Sequence, residues 1–78
     1  MAPELNEKQL RLLTHLEKED HVATEELLRE LGLAPVEFRP VVEPLLEDGL
    51  VMTAVPTLGS GRWWITPRGR DALRSRAR

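Results

Sequence analysis

Apolar residues recur at helical spacing through the first two thirds of the chain, then switch to alternation. Leu10, Leu12, Leu13 and Leu16 form one stripe, and the solvated run Glu17-Lys18-Glu19-Asp20 ends it. Asn6 is placed to cap this helix, with Gln9 three residues on, and Leu5 and Leu10 sit at hydrophobic-staple positions. The predicted first helix covers about residues 6–18. His21-Val22-Ala23 reads as a short extended link. Thr24 reads as the cap of a second helix over about 24–31, with Glu25 and Glu26 favoured by the positive end of its dipole. Leu27, Leu28 and Leu31 are its apolar face, and Gly32 suits the left-handed turn that ends it.

A third helix follows over about 36–48. Phe38, Val41, Val42, Leu45 and Leu46 keep the i, i+3, i+4, i+7, i+8 series without a gap, and Gly49 closes it. Two helices joined by a short Gly-containing turn make a helix-turn-helix. Pro40 and Pro44 lie inside the third helix, where each removes an N–H and crowds the preceding turn, so this helix is predicted to be kinked, late-starting or in two parts.

Beyond Gly49 the rhythm becomes that of strands. Val51-Met52-Thr53-Ala54-Val55 and Arg62-Trp63-Trp64-Ile65-Thr66 flank the turn residues Pro56 to Gly61, predicting a β-hairpin over about 51–66 with a six-residue loop. Thr66 then caps a short last helix, about 67–76, with Pro67 at its first position and Ala72 and Leu73 as its apolar face. The expectation is a single domain over residues 1–78, α+β but mostly α: a three-helix core, a two-stranded wing and a short C-terminal helix.

The phrases that carry this pattern also resemble known proteins. The turn LRELGLAPVEF, the exit LLEDGLV and the return ITPRGRDAL (Ile65 to Leu73) resemble the winged helix-turn-helix domain of small bacterial and archaeal regulators of the MarR and PadR type. The resemblance implies that the third helix enters a DNA major groove and that the Gly59-Ser60-Gly61 wing meets the neighbouring minor groove or backbone. Such regulators usually dimerise through extra terminal helices, which the reading of this chain does not supply, so the expectation is a monomer or a weak homodimer.

Charge alters the implied binding mode. The net charge of −2 divides unevenly: residues 1–50 hold twelve acids and five bases, and residues 51–78 hold six arginines against Asp71. Clustered arginines, which neutralise phosphates, therefore lie in the last third. The outer face of the third helix falls to Glu37, Arg39, Pro40, Glu43, Pro44 and Glu47, where only Arg39 suits base edges. The DNA-binding candidates are thus Arg39 on the third helix, Arg62 on the wing, and Arg68, Arg70 and Arg74 on the last helix, with Arg76 and Arg78 extending the strip. Gripping the duplex backbone through wing and last helix is the first functional expectation. A winged helix used for protein contact is the alternative, favoured by the acidic third helix and by Trp64.

Adjacent strand residues face opposite ways, so Trp63 joins Ile65 in the core and Trp64 points outward, as a candidate partner contact or a cover for the stems of Arg62 or Arg68. No phosphate-binding glycine loop and no cysteine nucleophile is present, and His15 and His21 lack metal-site spacing and carboxylate company. Neither catalysis nor a cofactor or metal is expected. With no cysteine, no apolar run of membrane-spanning length and no signal-like start, the expected location is the cytoplasm.

Overall fold

Asn6 and Gln9 form a reciprocal cap at the start of the chain's first helix in the computed structural model, which describes residues 5–19, 21–54 and 61–76. The Gln9 side-chain amide accepts one hydrogen bond and donates another. Its Oε1 takes the Asn6 N–H at 3.0 Å, and its buried Nε2 donates to the Val41 carbonyl at 3.2 Å. The residue that starts α1 (Glu7–Lys18) therefore also ties it to α3 (Pro35–Glu47). Between them lies α2 (Thr24–Leu31), closed by Gly32 at φ 66°, with the Leu33 N–H reaching back to the Leu28 carbonyl at 2.9 Å. Gly32, Leu33 and Ala34 are the turn of the helix-turn-helix.

Helix α3 is unbroken from Pro35 to Glu47, which corrects the late-starting and two-part forms of the expectation that it is kinked, late-starting or in two parts. The physical reason lies in where the prolines fall. Pro35 occupies the first turn, whose N–H would have no helical partner. Pro40 and Pro44 leave the carbonyls of Val36 and Pro40 without their usual donors, and all three residues are on the exposed face, where a carbonyl without a helical partner is open to solvent rather than buried. The Glu37 carboxylate accepts the Ala34 N–H at 2.8 Å and fixes the helix entry.

Gly49, at φ 73°, turns the chain out of α3, with the Leu50 N–H bonded to the Leu45 carbonyl at 2.8 Å. Strand β2 (Val51–Thr53) then pairs antiparallel with β3 (Arg62–Ile65) in the register Val51 to Ile65, Met52 to Trp64 and Thr53 to Trp63. The wing residues 55–60, including Gly59 and Ser60, lie outside the described residues, as does Arg78. The link before α2 proves to be a third strand, β1 (Val22–Ala23), which pairs with the other edge of β3. Thr66 caps α4 (Pro67–Arg76) as expected: its hydroxyl accepts the Gly69 N–H at 3.1 Å and donates to the Gly49 carbonyl at 2.6 Å.

One cluster of buried side chains joins these elements. Leu12, Leu13 and Leu16 of α1, Leu27 and Leu31 of α2, Phe38, Val42 and Leu45 of α3, and Val51, Trp63 and Ile65 of the sheet all belong to it. Trp63 is fully buried and meets Phe38 edge-on, with ring centroids 5.5 Å apart. Its indole N–H donates to the Thr24 hydroxyl at 2.7 Å. Thr24 therefore does not cap α2; Ala23 holds the cap position without a side-chain bond, because the Thr24 oxygen is turned inward to satisfy the indole.

Candidate nucleic-acid interface

The arginines singled out above occupy three separate places. Arg62 stands at the loop end of β3, opposite Ala23 of β1, and its guanidinium donates to the His21 carbonyl at 3.3 Å. His21 has a positive φ of 55°, and its ring lies 4.8 Å from that of Trp64. The wing base thus leans on the α1–α2 link through one residue. Trp64 is half-buried on the outer face of the sheet, as the alternation predicted, with the His21 ring as a neighbour.

Arg68 and Arg70 start α4 at the opposite end of β3, about 10 Å or more away at a rise of ~3.3 Å per strand residue. Arg68 runs past Gly49, where its Cδ would be 3.9 Å from an added Cβ. Both side chains are exposed, and no described acid forms an ion pair with Arg62, Arg68 or Arg70. Arg74, one turn on, is different: it faces Asp71 at 3.7 Å, an exposed pair of little energetic weight. Arg76 ends α4.

Arg39 is the one cation of α3, and Glu43, one turn along, lies 3.4 Å from its Nε. Glu37, Pro40, Pro44 and Glu47 share its exposed surface. That surface also holds a residue the sequence reading passed over. Val36 is 82% exposed, the most exposed large apolar residue described, and borders an open groove with Leu28, Pro35 and Phe38 between α2 and α3. Its position two residues before Phe38, off the core stripe, was the available signal.

The histidines differ from expectation at one point. His15 does have carboxylate company: its Nε2 lies 3.1 Å from Glu26 and 3.7 Å from Glu19. Glu26 comes from another helix, so the sequence spacing held no sign of it. Among the described residues no helix is long and apolar enough to cross a membrane.

No protein-family model and no curated protein matches this chain. Solved structures do. The transcriptional regulator MOSR of Mycobacterium tuberculosis, in complex with DNA, superposes with a TM-score of 0.75 at 25% identity over 91% of this chain and 52% of its own. The repressor CouR, bound to a 23-mer DNA duplex, gives 0.81 at 23% identity over 92% of this chain and 52% of its own. A MarR-family regulator from Silicibacter pomeroyi gives 0.77 at 25% identity over 91% and 49%. The chain therefore has the winged helix-turn-helix fold seen in MarR-type regulators, and it spans about half the length of each of these proteins.

Proposed function

We propose that this chain is a DNA-binding winged-helix protein of a transcriptional regulator, gripping the duplex backbone through the wing and the start of α4. The observation that carries the reading is the set Arg62, Arg68 and Arg70, exposed and unpaired with any described acid on a fold shared with DNA-bound regulators. Guanidinium groups that make no ion pair within the protein bind phosphate without first giving up a carboxylate. Arg39 and Arg74 each face an acid and contribute less. Glutamates at positions 37, 43 and 47 disfavour close approach of phosphates to the outer face of α3, so the contact is weighted toward backbone rather than base edges.

Replacing Arg62, Arg68 and Arg70 together by Glu should abolish duplex binding, while Arg39→Ala should lower affinity by less than about tenfold. Unchanged affinity in the triple variant would reject this interface. The second reading, a protein-contact module, draws on Val36, exposed beside the acidic face of α3, and on the half-buried Trp64. It takes precedence if the unaltered chain binds no duplex at low salt.

A further inference from the structure

α1 and α2 meet at a side-chain cluster that DNA binding leaves unused. His15 sits in the last turn of α1 with only 15% of its side chain exposed. Its Nε2 lies 3.1 Å from Glu26 Oε2 on α2 and 3.7 Å from Glu19 Oε2, four residues along from His15. The three ligand-type atoms all fall within 4.8 Å of one another.

Two carboxylates compete here for one ring nitrogen. Nε2 carries at most one hydrogen, and the contact with Glu26 occupies it; Glu19 at 3.7 Å is beyond hydrogen-bond reach. Two carboxylates thus converge on a ring of charge zero or +1, and no Lys or Arg forms an ion pair with either acid among the described residues.

We propose that His15, Glu19 and Glu26 form a site for a divalent transition-metal ion of the Zn2+ type, with one nitrogen and two oxygen ligands and a fourth position open to water. An imidazole ligand favours zinc-like ions over magnesium or calcium, which take oxygen ligands. Tetrahedral bonds of about 2.0–2.2 Å set neighbouring ligand atoms roughly 3.3–3.6 Å apart. The two distances to Nε2 bracket that range, and the exposed Glu19 side chain can swing inward to shorten the widest separation. The bound ion replaces the Nε2 hydrogen and ties the end of α1 to the first turn of α2. A ligand set of three with an open position implies an exchangeable ion rather than a closed structural site.

The test uses the chain alone, without an affinity tag and stripped by a chelator, so it is independent of DNA binding. Titration with Zn2+ by calorimetry should show one saturable site per chain, and Co2+ should give the visible absorption of tetrahedral coordination. Glu26→Gln and His15→Gln should each weaken Zn2+ binding by at least about tenfold. Because both residues touch across the α1–α2 junction, Glu19→Gln serves as the variant least able to disturb folding, and it should weaken binding and dim the Co2+ bands with the circular dichroism unchanged. His21→Gln should leave the titration as it was. Absence of saturable binding at millimolar Zn2+, or affinity unaltered in Glu19→Gln and Glu26→Gln, or affinity lost in His21→Gln, overturns the proposal.

Discussion

Gly69 and Thr24 show how much of this fold rests on single atoms. Gly69 is buried in α4 against the Leu50 backbone, and a Cβ there would run into the Leu50 carbonyl oxygen and come within 2.7 Å of Ile65 Cγ1. Helix propensity alone favours Ala over Gly by about 1 kcal/mol. The close approach outweighs that gain, so Gly69→Ala should destabilise the protein by roughly 1–3 kcal/mol. A urea midpoint at or above that of the unaltered chain would show that α4 shifts freely. Thr24→Val keeps the shape but removes the acceptor of the Trp63 indole N–H, leaving a buried donor unpaired at a cost of about 1–3 kcal/mol. Thr24→Ser should retain most of the stability in the same measurement. Neither dependence was legible in the sequence: Thr24 precedes a helical run and looks like a cap, and its partner lies 39 residues away.

Among elements, α3 departed most from the sequence reading and α1 least. The cap of α1 is local, since Asn6 and Gln9 bond each other, and local chemistry can be read from spacing. The continuity of α3 depends on which face its prolines occupy, and the apolar stripe did hold that information, because residues 36, 40 and 44 all fall opposite Phe38, Val41 and Leu45. Strand β1 could not be foreseen from two residues; it exists because β3 offers a second edge beside Val22 and Ala23. If exposure of the Val36 carbonyl is what permits Pro40, restoring the backbone donor should still be favourable. Pro40→Ala is expected to stabilise the chain by about 2 kcal/mol, the helix-interior penalty of proline less the ordering it imposes on the unfolded chain. A lowered thermal midpoint would mean that the ring contributes packing its exposed position does not suggest.

At the scale of the whole molecule, acidic helices and a basic C-terminal third share one small body, so the net charge of −2 says little about what it binds. The hairpin, the core side of Trp63 and the last helix were all visible in the change from helical spacing to alternation. So was the division of the arginines between the wing and α4, because the strand Arg62–Ile65 separates them; the hold of Arg62 on the His21 carbonyl, 41 residues away, was not. If both groups grip phosphates, replacing Arg62 alone by Ala should reduce the salt slope of binding by about one unit, with a like effect on duplexes of any sequence. The most direct test of the account is fluorescence anisotropy of the unaltered chain with a random-sequence duplex over a range of salt concentration. Binding at low salt whose logarithmic affinity falls with log salt at a slope of about −2 to −3, near −0.9 for each phosphate neutralised, is the predicted result. Absence of binding at low salt, or affinity indifferent to salt, would contradict it.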